Sequence, residues 1–223
     1  PEGIPIHTPR VGPGAAPPTQ AQLDNPFGVV RGPDGNIWFC EYGGQRVCKV
    51  TADGKLHVVA GSGQKGYTGD GGPALQATFN LPHEIRFDQA GDLYIVDMGN
   101  NAVRKVTLKT GVITTFAGTG KAGYSGDGGP AKKATFKQPH SIQFDAQGDL
   151  YICDWYNPIK GHMQYSLRDE RRDRTAGRIW RIVPKGAVLP AAPKMAGAPV
   201  ADLLELLKSP QFRVRDLAKR ELA

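Results

Sequence analysis

The sequence predicts an all-β fold, a partial β-propeller of about three four-stranded blades with a short α-helical hairpin at its C-terminal end. Three observations carry that reading. The chain repeats itself: Gly61-Ser-Gly-Gln-Lys-Gly-Tyr-Thr-Gly-Asp-Gly-Gly-Pro-Ala74 returns 57 residues later as Gly118-Thr-Gly-Lys-Ala-Gly-Tyr-Ser-Gly-Asp-Gly-Gly-Pro-Ala131. The register persists downstream, where Leu81-Pro-His-Glu-Ile85 matches Gln138-Pro-His-Ser-Ile142 and Gly91-Asp-Leu-Tyr-Ile-Val-Asp97 matches Gly148-Asp-Leu-Tyr-Ile-Cys-Asp154. A weaker copy, Pro26-Phe-Gly-Val-Val30 with Gly35-Asn-Ile-Trp-Phe-Cys-Glu41, lies upstream at an offset of 56. Finally, 29 Gly and 18 Pro among 223 residues, with 39% apolar, specify a core interrupted by many turns and not a set of long helices. A long period built of short β-rich runs indicates radially repeated sheets.

Residues 1–20 are Pro- and Gly-rich without periodicity and read as an extended leader. Blades are expected over about residues 22–60, 79–117 and 136–183. In the middle copy the strands are His83 to Phe87, Asp92 to Val96, Ala102 to Val106 and Val112 to Phe116. Asp88-Gln-Ala-Gly91, Gly99-Asn-Asn101 and Lys109-Thr-Gly111 supply the turns between them. The third copy departs from the pattern after Asp154, where an insertion, Trp155 to Ala176, replaces the short turn before the third strand resumes at Gly177-Arg-Ile-Trp-Arg-Ile182. Residues 184–199 are Pro/Ala-rich, a semi-rigid linker. Residues 200–223 then read as two short helices around Ser209-Pro210. The second places Val214, Leu217, Ala218 and Leu222 on one face. One such hairpin cannot bury its own apolar face, and three blades cannot close a ring of about four to eight. The remaining blades and helical repeats of a longer parent chain are therefore expected partners. Pro1-Glu-Gly-Ile-Pro5, with neither an initiator Met nor the pattern of a secretory signal, agrees with that expectation.

No run approaches the roughly 18 consecutive apolar residues of a membrane helix. The formal charge of +7 raises nucleic acid as a partner class, but the bias is spread thinly. Its one dense run, Arg168-Asp-Glu-Arg-Arg-Asp-Arg174, mixes four arginines with three acids and reads as a self-paired solvated loop, so nucleic acid is not favoured. Cys40 and Cys153 share a repeat position held by Val96 in the middle copy, and both read as small buried hydrophobes. Across the turn flanked by Glu41 and Arg46, Cys40 faces Val47 while Cys48 points to the other side, so no disulfide is expected.

Pro82-His83 and Pro139-His140 are the sharpest candidates for chemistry. The first strand of a blade lies innermost, so His83 and His140 on successive blades can converge on the central channel as neutral nitrogen ligands for Zn²⁺. The first copy carries Phe27 there. The two Gly-x-Gly-x-x-Gly strings in the repeated loop spell a dinucleotide fingerprint, but no helix or parallel-sheet pattern follows, and an inter-blade loop with positive φ is the better reading. Asp70 and Asp127 in those loops suit Ca²⁺ or, more simply, turn capping. Asp97, Asp154 and Glu41 recur at the end of the second strand and are expected to accept hydrogen bonds from the following turn. Arg104, Lys105, Tyr94 and Tyr151 are expected on outward strand positions. The unrepeated insertion gathers Tyr156, Asn157, His162 and Arg168, a set suited to ligand or domain contact at the channel mouth. No serine elbow, His-Glu-x-x-His pair or phosphate loop is present in the sequence.

The Pro-x-x-Ile, Gly-Asp-Leu-Tyr-Ile-x-Asp, Gly-Asn-Asn-x-Val-Arg-Lys-Val pattern resembles the NHL-repeat propellers over about residues 22–154. Asp154-Trp-Tyr-Asn-Pro158, Gly161-His-Met-Gln164, Leu167-Arg-Asp169 and Gly177-Arg-Ile-Trp-Arg-Ile182 resemble the final blade of large secreted bacterial propeller proteins of the planctomycete "membrane-bound dehydrogenase" type. That likeness implies HEAT-type helical repeats after the propeller, a periplasmic or extracellular location and, in a dehydrogenase, a quinone; no haem-attaching C-x-x-C-H is present. The Pro-His-x-Ile contexts of His83 and His140 are similar to the zinc-binding histidines of the NHL-like peptidyl-hydroxyglycine amidating lyase, which implies a zinc-dependent lyase. The leading expectation is a scaffold binding a protein, glycan or small molecule. The alternative is a catalytic propeller, lyase-like or sugar-dehydrogenase-like.

Overall fold

The computed structural model describes residues 22–154, 178–183, 195–209 and 212–222, in two compact units divided after Pro184. The first unit holds three antiparallel sheets whose strands follow chain order, because each Asp/Gly turn returns the chain beside the strand it left. Sheet one is β1 (Pro26–Arg31), β2 (Ile37–Glu41), β3 (Arg46–Val50) and β4 (Leu56–Ala60). Sheet two is β5 (Pro82–Phe87), β6 (Leu93–Asp97), β7 (Ala102–Thr107) and β8 (Val112–Ala117). Among the described residues sheet three has three strands, β9 (Pro139–Phe144), β10 (Leu150–Asp154) and β11 (Arg178–Ile182). The β5–β6 turn shows why the sequence folds back there. Asp88 accepts the Gly91 N–H at its carbonyl (3.0 Å) and the Asp92 N–H at its carboxylate (2.8 Å), and Asp145 repeats both bonds with Gly148 and Asp149.

The sheets are stacked so that their first strands are neighbours, the arrangement of a partial propeller. Side chains 57 residues apart join β5 to β9 and the turns beyond them: Arg86 Nε donates to Gln143 Oε1 and Gln89 Nε2 to the Ala146 carbonyl, each at 2.9 Å. Between β1 and β5 the backbones come so close that a Cβ on Gly28 would lie 2.9 Å from Glu84 Cα, and only glycine fits.

The core lies between sheets, because alternate residues of each strand face opposite neighbours. Trp38, Cys40 and Val47 of sheet one pack on Ile85, Leu93 and Ile95 of sheet two. Tyr94, Val96 and Val103 on the far side of sheet two pack on Ile142, Leu150 and Ile152 of sheet three. Each such side chain contributes about 1.5–3 kcal/mol by leaving water.

Three sequence expectations need correction. Cys153 is exposed, because among the described residues no further sheet covers its side of sheet three. Cys40 and Cys48 are buried on opposite faces, opposite Val47 and Phe39 respectively, and all three cysteines are free. Tyr94 is not outward but buried, meeting the edges of Phe116 and Phe144, since sheet three closes over it. Arg104 is likewise not outward, being only 1% exposed. Its guanidinium reaches Asp70 (2.7 Å) and the Thr68 carbonyl (3.1 Å) in the glycine-rich loop, and Asp97 (3.5 Å) beneath. Lys105 and Tyr151 are half-buried.

The second unit pairs α1 (Val200–Leu206) with α2 (Phe212–Leu222) around Leu203 and Ala218, both buried. Arg215 donates to the Ser209 carbonyl (2.6 Å), tying the second helix to the end of the first. Leu217 lies at the edge of this contact and stays 36% exposed, since one pair of helices leaves part of the apolar stripe uncovered. Among the described residues no helix is long and apolar enough to cross a membrane.

Candidate functional site

The candidate site lies at the end of the stack where the first strands begin. Each opens with a left-handed residue followed by proline: Asn25, Leu81 and Gln138 have φ of 50°, 57° and 59°. A non-glycine residue pays for this conformation on the order of 1–2 kcal/mol, so it persists only where the surroundings over-determine it. They do. The Leu81 N–H donates to Gln45 Oε1 (2.7 Å) and the Gln138 N–H to Asn101 Oδ1 (2.9 Å), each acceptor belonging to the preceding sheet. One residue earlier, the acid closing the second strand takes the backbone N–H: Asn80 to Asp97 (2.8 Å), Lys137 to Asp154 (2.9 Å), Asp24 to Glu41 (2.9 Å).

These acids therefore hold the start of the first strand, and a bond from the following turn is seen only as Asn100 Nδ2 to Asp97 (2.8 Å) among the described residues. Each also receives a donor from the third strand, where the residue type varies: Cys48 Sγ, Arg104 or Trp180 Nε1. Burial pushes the Asp97 carboxyl up to about 6 despite the hydrogen bonds of Asn100, Asn80 and Arg104, and burial likewise raises Asp154.

This frame brings Phe27, His83 and His140, one per sheet, into ring contact. Phe27 stacks on His83 with centroids 4.8 Å apart, and His83 meets His140 edge-to-face at 4.9 Å. Tyr42 stands edge-on to His83 at 6.1 Å. His83 Nδ1 lies 2.8 Å from the His140 carbonyl, and His140 Nδ1 lies 2.7 Å from the Gln138 carbonyl. A carbonyl oxygen only accepts, so both Nδ1 atoms carry a proton, and in the neutral rings the lone pair sits on Nε2. Metal-binding histidines are commonly oriented by such a bond. The donor chemistry thus fits Zn²⁺, while the donor count is two, and no group of three metal-capable side chains occurs among the described residues. With Phe27 exposed and both imidazoles half-buried, the row offers a ligand apolar ring surface beside imidazole nitrogen.

The other predicted residues fall elsewhere. Tyr156, Asn157, His162 and Arg168 lie outside the described residues; the segment carrying them departs at Asp154 and returns at Arg178, paired residues at the same end of sheet three as Pro139. The glycine-rich loops lead into single 3-10 turns, Ala74–Gln76 and Ala131–Lys133, and not into helices, so neither is a dinucleotide site. Gly61 and Gly118, at φ 91° and 92°, press against the Gln45 and Asn101 carbonyls, where an added Cβ would sit 2.5 Å away. Asp70 meets Arg104, and Asp127 meets Arg178 at 3.3 Å. Desolvation raises the Asp70 carboxyl, but Thr115 and Arg104 outweigh it and hold it below the ordinary range. Sequence reasoning assigned Arg104 an outward place, and it missed the roles of Tyr42, Gln45 and Asn101. The last two were signalled by their common place one residue before the third strand.

No family model matches the chain. It is 32% identical over 69 residues to the Arabidopsis thaliana protein SUPPRESSOR OF QUENCHING 1, chloroplastic, covering 31% of this chain and 6% of that protein. It is 25% identical over 169 residues to human Teneurin-4, covering 64% of this chain and 6% of that protein. A solved structure of a Bacteroides thetaiotaomicron protein of unknown function is 31% identical, with a TM-score of 0.49, covering 53% of this chain and 30% of that one. The chain spans about 6% of the length of the curated relatives it matches.

Proposed function

We propose that this chain is the ligand-binding part of an NHL-type propeller, with its site at the face where the first strands begin and with HEAT-like repeats starting at residue 200, in a larger extracytoplasmic protein. The observation that supports this most is the convergence of Phe27, His83 and His140 from three sheets into one half-exposed aromatic row. Strained openings and inter-sheet bonds fix that row in place, while the unrepeated insertion is anchored at the same end of its sheet. A site held rigid in this way binds with little ordering cost. The ligand is a glycan or other small molecule. The test is a thermal-shift screen of the full chain against mono- and oligosaccharides, repeated on His83→Ala and Phe27→Ala. Stabilisation by a sugar should disappear in both variants; a sugar that stabilises all three proteins equally would place binding elsewhere.

A second reading, a zinc-dependent lyase-like centre, is favoured by the tautomer that the carbonyls impose on His83 and His140. Bound there, zinc would act as a Lewis acid. The residues would supply two Nε2 donors and hold them in orientation through the Gln138 and His140 carbonyls. Equilibrating the protein with zinc and measuring bound metal before and after His83→Ala with His140→Ala decides it. Unchanged stoichiometry would remove this reading.

A further inference from the structure

The first strand of sheet two carries a charged pair that the repeated frame does not need. Arg86 folds back along β5 towards its start: Nη1 donates to Glu84 Oε1 and, at 2.7 Å, to the Ile85 carbonyl, while Nε donates to Gln143 Oε1 at 2.9 Å. The pair occurs once. Its positions are Gly28 and Val30 in sheet one and Ser141 and Gln143 in sheet three, so the architecture is built twice without it. Nor does it add much stability, because desolvation offsets most of the attraction between two partly buried charges. At the Arg86 position of sheet one Val30 packs against the core instead. Sheet two has a sheet on either side, and β5 pairs with β6 alone, so what stays accessible in the middle of β5 opens along its unpaired edge. There the Glu84 side chain is 17% and the Arg86 side chain 30% exposed. Among the described residues Glu84 Oε2 and Arg86 Nη2 make no hydrogen bond. His83, the extra residue of a bulge between Pro82 and Glu84, precedes the pair directly and sets its ring against Phe27 and His140.

One fixed acceptor and one fixed donor thus flank the contact between the two side chains, and the pair is neutral overall. Two hydroxyls on neighbouring carbons match that set, one donating to Glu84 Oε2 and the other accepting from Arg86 Nη2, and both bonds are charge-assisted. A carboxylate would be drawn to Arg86 but repelled by Glu84. We infer that Glu84 and Arg86 read the ligand's hydroxyls, and that the ligand is a neutral sugar with two adjacent ring hydroxyls free. This rests on the binding site proposed at the aromatic row and supplies the residues that select within it.

Isothermal titration calorimetry on the full chain tests this with glucose, galactose and mannose, their monodeoxy derivatives, and glucuronate. A neutral sugar should bind, and removing either hydroxyl of the pair that is read should weaken it by about tenfold or more, since a partly buried partner is left unpaired. Its affinity should be the same at about 0.05 and 0.5 M salt, whereas that of an anionic ligand falls as salt screens it. Glu84→Gln and Arg86→Lys should each weaken the parent sugar by about tenfold while leaving the deoxy derivative as it was, so that the preference between them collapses. A merely structural role would lower both affinities together. Gln89→Ala, which removes a different bond between the same two sheets, should change neither. Circular dichroism checks that the variants fold, and the deoxy series on the wild-type chain decides the matter without them. Binding that His83→Ala abolishes but that keeps its hydroxyl preference in Glu84→Gln and Arg86→Lys would overturn this inference and leave the proposed site standing. A preference for glucuronate that fades with salt would overturn it as well. A chain that binds none of the neutral sugars loses this inference, and one that also fails the oligosaccharide screen loses the proposed function.

Discussion

Arg104→Met tests how the repeated frame is held together. The guanidinium has two carboxylate partners, and the nearer is not the more important. Asp70 lies at 2.7 Å with its side chain 52% exposed, so solvent screens the pair and its net worth is about 0–1 kcal/mol. Asp97 lies farther, at 3.5 Å, but its side chain is fully buried beside an equally buried arginine. Removing the cation leaves a buried carboxylate with only the Asn80 and Asn100 donors, a loss of about 3–5 kcal/mol. Methionine keeps much of the packing over Tyr67 and Phe79, so the loss is chiefly electrostatic. For a unit of this size it should lower Tm by about 6–20 °C. Asp70→Asn should lower it by only a few degrees. Adding Asp97→Asn to Arg104→Met should recover about 1–3 kcal/mol relative to the sum of the single losses. Thermal and urea unfolding followed by circular dichroism at pH 7.5 read the wild type, the three single variants and the double variant. An Arg104→Met loss no larger than that of Asp70→Asn, or additive losses in the double variant, would refute the assignment of Asp97 as the partner that matters.

Three further outcomes are expected. The Asp97 carboxyl is raised in the folded chain to about 6, so the folded state binds the extra proton; stability should fall as pH rises from about 4 to about 6, and urea midpoints across that window should lose this slope in Asp97→Asn. Gly61→Ala, at φ 91° against the Gln45 carbonyl, should cost more than about 2 kcal/mol, while Gly54→Ala, with open space around it, should cost only the strain of its own positive φ. With Ellman's reagent under native conditions Cys153 should react first and Cys40 only on unfolding, because burial pushes the Cys40 thiol up to about 12.

Much of the frame was legible in the residues alone. The turn at Asp88 to Gly91, the strand openings at Pro82 and Pro139, and the opposite facing of Cys40 and Cys48 follow from short-range rules: Asp/Gly turn chemistry, the fixed φ of proline, and the two-residue period of a strand. Repetition extended those rules to three copies, and the helix Phe212–Leu222 was set by its own apolar period.

Sequence by itself therefore determined the strands, their order and the repeat of positions 27, 83 and 140. Tertiary structure decided what those positions do. That Arg104 is buried while Cys153 and Ile179 are exposed depends on which neighbour covers each face, a property of sheets far apart in the chain and absent from local periodicity. Ring contact of His83 with Phe27 and His140, and the carbonyls that set the histidine tautomer, likewise exist only once three first strands lie side by side. Local preferences act over a few residues, whereas burial and hydrogen-bond pairing are settled by whatever the fold brings alongside.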